Sequence, residues 1–283
     1  MKITNNKNLP APMVAAAMQQ REIKPYTYSV TTLLKSTREI LLTRRHNDEI
    51  EQDVSTMAWA LFGTATHAVL EDAAEGNAEV HLKWQTGKYT VTGITDYIDG
   101  DTVVDYKTTS VWKLKHGEFD DWCEQLATYA FMLNQAGHKI TKGRIIAILR
   151  DHRKGEARLE KDYPEPIETV EFDLSDLTET EQRVRMKLAS LNACEDLPDD
   201  MLPFCNDTER WARGGGWAVR KNHTKRALRL LPTKEEAEEY LATHSADYIE
   251  YRAPFSAKCH EYCPCKDFCN QYRDVISKEN ETR

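Results

Sequence analysis

The stretch Thr92–Ser110, TGITDYIDGDTVVDYKTTS, constrains this chain more than any other. Two runs of β-favouring residues, KYTVTGITDYI and DTVVDYKTT, flank Asp99-Gly100-Asp101, and a short Gly-containing polar break between such runs predicts a hairpin. Side chains alternate along a strand, so Asp105 and Lys107 project from one face, and the hairpin brings that face to Asp96. Two carboxylates and an ammonium on one sheet face are costly, because the carboxylates repel and a buried lysine loses its hydration. A divalent cation resolves the conflict. Hard cations such as Mg²⁺ prefer oxygen ligands and keep waters, which leaves room for a phosphate oxygen and an attacking water. Alone, Asp-x-Lys is equally what a solvated hairpin carries, with a surface pair worth under about 1 kcal/mol.

The flanking segments change this balance. MAWALFGTATHAVLEDAAE has helical periodicity and places Gly63 and His67 one turn apart, so a small residue lets the helix approach the sheet and His67 can offer an imidazole. FDDWCEQLATYAFMLNQAG predicts a second helix with Gln125 and Tyr129 at the same spacing, two polar groups within reach of Lys107 or a phosphate. The ordered set G-x-x-x-H, G-x-x-D, D-x-K, Q-x-x-x-Y resembles the PD-(D/E)xK nuclease superfamily, and within it the RecB-like exonuclease branch, over roughly Ser29 to Asp151. The resemblance implies an α/β restriction-endonuclease-like core, a mixed central sheet flanked by helices. It implies His67, Asp96 and Asp105 as ligands of Mg²⁺ or Mn²⁺, Lys107 as the catalytic lysine, and Gln125 and Tyr129 as supporting contacts to the site or to DNA.

The rest of the chain is assigned around that core. A length of 283 residues, 40% hydrophobic and 30% charged, suits a soluble protein with one large domain and an appendage. No apolar run has the length of a membrane span and no hydrophobic signal core opens the chain, so the expected location is the cytoplasm. Residues 1–25 predict an arm, disordered or draped over the body, residues 26–197 the nuclease core, and residues 198–283 a basic, cysteine-containing module. SVTTLLKSTREILL predicts a helix capped by Ser29, Gly143–Asp151 a buried strand closing the sheet, and ETVEFDL a further strand. SDLTETEQRVRMKLASLNAC predicts an amphipathic helix capped by Ser175, and TKEEAEEYLATH a helix with a capping box.

Seven cysteines are unevenly placed, with four in KCHEYCPCKDFC; reduced thiols in such a cluster point to metal rather than disulfides. Cys259, Cys263 and Cys269 give C-x3-C-x5-C, and Cys205 supplies a fourth thiol; Cys265 is an alternative ligand or a bystander. RecB-like nucleases of the CRISPR-adaptation and AddB types are similar in carrying a C-terminal cysteine trio, which implies a [4Fe-4S] cluster here. In those relatives the fourth cysteine precedes the core, whereas no cysteine precedes Cys123 in this chain. Tetrahedral Zn²⁺ is the alternative, with His260 as a substitute ligand. Cys123 and Cys194 are expected to pack as small apolar residues.

A net charge of -8 argues against nonspecific coating of nucleic acid, but Arg210 to Thr233 contains no acidic residue. Its Arg210, Arg213, Arg220, Lys221, Lys225 and Arg226 offer phosphate contacts, and Trp217 offers a surface for base stacking. The expected function is a divalent-metal-dependent DNA nuclease, an exonuclease by the resemblance, serving recombination, repair or phage DNA processing. The alternative is a noncatalytic nucleic-acid-binding module, or a subunit active only in a larger complex. DNA is the expected partner, and the resemblance leaves room for a homo-oligomer or a recombination partner protein.

Overall fold

The computed structural model describes residues 1–18, 22–74, 78–224 and 226–280, and the chain divides into two units. The first comprises residues 1–35 and 51–192, the second residues 36–50 and 193–283.

In the first unit, β1 (Lys2–Thr4) pairs in parallel with β3 (Glu51–Asp53), and helix α1 (Ala11–Ala17) follows β1. The main sheet has six strands: β2 (Thr27–Ser29), β4 (Ala78–Thr86), β5 (Tyr89–Asp99), β6 (Thr102–Thr109), β7 (Lys142–Leu149) and β8 (Ile167–Asp173). β4 runs antiparallel along one flank of β5; the other flank takes β2 in parallel at its start and β6 antiparallel at its end. β6 then pairs in parallel with β7, and β7 antiparallel with β8, so the sheet is mixed as expected. Asp99 pairs with Thr102 across the turn, where Gly100 takes φ +59°, a left-handed conformation that glycine adopts without a Cβ penalty. β7 lies inside the sheet and β8 closes that edge, which corrects the expectation that Gly143–Asp151 would close it.

Helices α2 (Val30–Leu33), α4 (Ala58–Ala73), α5 (Val111–His116), α6 (Asp120–Gln135), α7 (Lys154–Ala157) and α8 (Thr178–Cys194) surround this sheet in sequence. α6 carries the main core face: Leu126, Ala130 and Leu133 are fully buried, as are Val91, Val103, Ile145 and Ala147 on the strands.

Two helix expectations are corrected by local capping. Ser29 does cap a helix, accepting from Thr32 N, but that helix ends at Leu33. Ser36 accepts from Glu39 N and starts a separate helix, α3 (Thr37–Arg45), in the second unit. Ser175 caps nothing; Asp176 accepts from Thr178 N at 2.9 Å, and α8 begins there.

Besides α3, the second unit contains β9 (Ala212–Arg213), β10 (Gly216–Arg220), β11 (Arg229–Leu231), α9 (Lys234–Thr243), β12 (Tyr248–Arg252), β13 (Phe255–Ser256), α10 (Ala257–Glu261) and α11 (Asn270–Asp274). β10 lies between β11 and β12 in an antiparallel sheet, and Thr233 caps α9 by accepting from Glu236 N. Cys194 is buried and Cys123 half-buried. No described helix is long and apolar enough to cross a membrane.

Candidate active site and cysteine cavity

The last pair in register between β5 and β6 is Tyr97 with Val104, so the next step places Asp96 against Asp105. There the backbone ladder stops and a side chain takes over: Asp96 Oδ2 accepts from Tyr106 N at 2.8 Å. Its other oxygen, Oδ1, lies 3.1 Å from His67 Nδ1. That hydrogen bond lifts the His67 pKa above its ordinary value, against the opposing effect of burial.

Asp105 is 3% exposed, and burial pushes its carboxyl up from the usual range while Lys107 opposes the shift. Lys107 Nζ lies 2.7 Å from Asp105 Oδ2, an oxygen that makes no aligned hydrogen bond, so the contact is an ion pair. Gln125 closes the circuit. Its Oε1 accepts from Lys107 Nζ at 2.9 Å, and its Nε2 donates to Asp105 Oδ1 at 2.7 Å and to Tyr129 OH at 3.3 Å. The i, i+4 spacing on α6 therefore puts the Gln125 amide and the Tyr129 hydroxyl on the same acid–lysine pair.

Gly93 explains how Tyr129 gets so near the sheet, because a Cβ there would stand 2.7 Å from the ring's Cε1. Gly63 contributes less: a Cβ there would meet Thr108 Oγ1 at 3.4 Å, the near edge of ordinary contact. The six core residues expected from the sequence thus form two adjoining sets, His67 with Asp96 and the Asp105–Lys107–Gln125–Tyr129 network, joined through the Tyr106 backbone.

In the second unit, Cys205, Cys259, Cys263, Cys265 and Cys269 line one cavity with Arg38, Glu39 and Lys258. Cys265, which the sequence left undecided, is among them and lies 3.6 Å from Cys263, sulfur to sulfur. All the cysteines are free thiols. Burial raises Cys205 to about 11 and Cys259 to about 12. The thiols share a cavity without forming a coordination shell: among the described residues no group of three or more His, Cys, Asp or Glu is placed to hold a metal ion.

No local pattern in the sequence points to the cations and carboxylate that α3 and α10 add to this cavity. Arg38, 1% exposed, donates to the carbonyls of Leu202 at 2.6 Å and Pro203 at 3.2 Å, to Asn270 Oδ1 at 2.8 Å, and to Cys269 Sγ at 3.7 Å. Lys258 Nζ pairs with buried Glu39 at 2.6 Å.

The residues of the basic run are not equivalent. Arg210 donates to Ser256 Oγ at 2.6 Å and Glu279 Oε1 at 3.2 Å and pairs with Asp207, so its guanidinium serves the interior of the unit. Arg220 is engaged by Glu250 at 2.8 Å and by the Thr224 carbonyl at 3.0 Å. Arg213 and Arg226 are exposed and Lys221 half-buried; Trp217 on β10 stands 5.5 Å from Tyr251 on β12, ring to ring. Lys225 lies outside the described residues.

Among solved structures, the chain is similar to SSO0001 at 17% identity, covering 66% of this chain and 85% of that one with a TM-score of 0.45. It is similar to the alkaline exonuclease LHK-Exo from Laribacter hongkongensis at 14% identity, 59% and 88% coverage, and a TM-score of 0.34. A phage-related exonuclease from Haemophilus somnus 129PT gives 11% identity, 55% and 69% coverage, and a TM-score of 0.28. No curated protein matches. The family model of the PD-(D/E)XK nuclease superfamily matches residues 12–270, which takes in the whole assembly around Asp96, Asp105 and Lys107, and the chain belongs to that superfamily.

Proposed function

We propose that the chain is a divalent-cation-dependent DNA nuclease that acts from strand ends. One observation carries this reading: the closed circuit of Asp105, Lys107 and Gln125, set beside an Asp96 whose carboxylate replaces a strand partner. A solvated surface pair would not hold its lysine between a buried carboxylate and a buried amide.

PD-(D/E)XK nucleases generally use Mg²⁺ or Mn²⁺, and Asp105 Oδ2, buried and without an aligned hydrogen bond, suits such an ion. Asp96 and Asp105, with His67, would hold it, and when bound it supplies Lewis-acid polarisation of the scissile phosphate and of water. The chain's own residues do the remaining work. Lys107 Nζ presents its N–H donors to an attacking water or to the charge that develops on the phosphate. Gln125 fixes that ammonium by accepting one of its hydrogens, and Tyr129 in turn fixes the amide. Asp96, braced on the Tyr106 N–H, keeps its carboxylate plane in place.

End-directed action and a role in recombination, repair or phage DNA processing rest on the RecB-like order of the motifs. In the second unit, five free thiols share one cavity with Arg38 and the Lys258–Glu39 ion pair, a wall that matches a thiolate-bound group in donor type. Cys205, Cys259, Cys263 and Cys269 would hold a [4Fe-4S] cluster, with Zn²⁺ as the alternative, and the role is structural.

The test is cleavage of end-labelled linear DNA by purified protein with Mg²⁺, Mn²⁺ or EDTA, beside Asp105→Ala and Lys107→Ala. Metal-dependent release of label is expected, reduced by about 10²-fold or more in each variant. A folded protein that binds DNA and leaves every end intact would overturn the proposal in favour of a noncatalytic module.

A further inference from the structure

Helix α4 is rich in apolar residues, yet none of them is buried: Trp59 is 58% exposed, Phe62 44% and Val69 68%. Large side chains left open on one helix call for an occupant. Trp59, Gly63 and His67 recur every four residues and so form one row on this helix. The row has three neighbours, two in the sheet and one just past the end of β7. His67 meets Asp96, Gly63 stands above Thr108, and the Arg150 guanidinium lies 4.9 Å over the Trp59 ring centroid. Arg150 is itself tethered where β6 ends, its N–H donating to the Thr109 carbonyl at 3.0 Å, two residues beyond Lys107. The next residue, Asp151, accepts from Val111 N at 2.8 Å, which pins the start of α5 to the same point. At a rise of about 1.5 Å per residue, Trp59 stands roughly 12 Å along the helix from His67, a few nucleotides at most.

From this placement we propose that the Trp59 indole, backed by Arg150, is a stacking platform for an unpaired base of a DNA strand whose scissile phosphate lies at Asp96, Asp105 and Lys107. The inference rests on the nuclease reading and adds to it a substrate form, single-stranded or frayed DNA. An indole with one side against a guanidinium and most of its surface open offers a π-face to any base, while Arg150 complements the backbone charge.

The test measures binding of end-labelled single-stranded oligonucleotides in EDTA by fluorescence anisotropy, using wild type, Trp59→Ala, Trp59→Phe and Arg150→Ala. Each protein is also titrated with oligonucleotides carrying one abasic site, moved stepwise from the end. Trp59→Ala is expected to weaken binding about 5- to 150-fold and Trp59→Phe much less. One abasic position should weaken wild type to a similar degree and leave Trp59→Ala unchanged. Equal abasic penalties in wild type and Trp59→Ala, or unchanged affinity in Trp59→Ala, would overturn the platform while Mg²⁺-dependent cleavage by wild type left the nuclease reading standing. A Trp59→Ala protein that changes oligomeric state but not DNA affinity would also overturn it and assign the face to a protein contact. Wild type that neither binds nor cleaves DNA would sink both readings.

Discussion

Replacing Gly93 by alanine tests whether the site depends on the close approach of Tyr129 to β5. The new Cβ would stand 2.7 Å from Tyr129 Cε1, 3.1 Å from Cδ1 and 3.4 Å from Val30 Cγ2, so the ring must retreat by about 0.7 Å to regain ordinary contact. It has little room, because Tyr129 is 4% exposed on the core face of α6. Overpacking of this kind costs about 1–3 kcal/mol, and retreat also stretches the 3.3 Å contact between Gln125 Nε2 and the Tyr129 hydroxyl, worth about 1 kcal/mol. Together these come to about 2–4 kcal/mol, and for a unit of this size each kcal/mol lowers the melting temperature by about 2–4 °C, so Gly93→Ala should melt about 4–16 °C below wild type. Calorimetry on four proteins decides the matter: wild type, Gly93→Ala, Tyr129→Ala, and the double variant. Tyr129→Ala removes the obstructing ring, so adding Gly93→Ala to it should cost less than about 0.5 kcal/mol. An undiminished cost of Gly93→Ala in that background would show that Gly93 is needed for a reason other than the approach of Tyr129 to β5.

Two further outcomes follow from the second unit. Lys258→Met leaves the buried Glu39 carboxylate without its cation, which should cost about 3–5 kcal/mol, and adding Glu39→Gln should recover most of the loss; thermal melts that show no recovery would mean that Lys258 acts through other contacts. His46 contributes a pH dependence: burial alone would lower its pKa, but hydrogen bonds to Asp199 at 2.6 Å and Glu49 at 2.7 Å outweigh that, and the folded value stands above 6.5. Its stabilisation is fully present below about pH 6.5 and is lost as pH rises through the folded value, so melting temperature should fall as pH rises above about 6.5, and His46→Gln should flatten that fall. Equal slopes in wild type and variant would remove His46 as the source.

The core of the site was legible because a strand's alternation is a strict rule. Asp105 and Lys107 had to share a face, and the Asp99-Gly100-Asp101 turn had to bring Asp96 opposite. Gln125 and Tyr129 followed from helical spacing for the same reason. What local spacing does not encode is where a chain crosses between units. Residues 36–50 belong with the C-terminal segment, and the only local sign is Ser36, whose capping bond breaks a hydrophobic pattern that reads as one continuous helix. Arg38 and Glu39 therefore looked like the polar face of an ordinary helix, although one is buried against carbonyls and Cys269 and the other against Lys258. Arg210 shows the same limit of local spacing. As the first residue of a run with no acidic residue after it, Arg210 looks available to phosphate, but Asp207, three residues before it, and Glu279, 69 residues away, both engage it.

The site also divides the oxygens of its two carboxylates between two kinds of partner. Each carboxylate uses one oxygen to fix its orientation: Asp96 on the Tyr106 backbone, Asp105 on the Gln125 amide. The second oxygen of each faces a group whose charge can change or move, His67 for Asp96 and Lys107 for Asp105. The divergence of β5 from β6 on the Asp96 side of the Tyr97–Val104 pair is what makes this division possible. Had the ladder continued, Tyr106 N–H would have bonded to backbone, and Asp96 would have lost the donor that sets its plane.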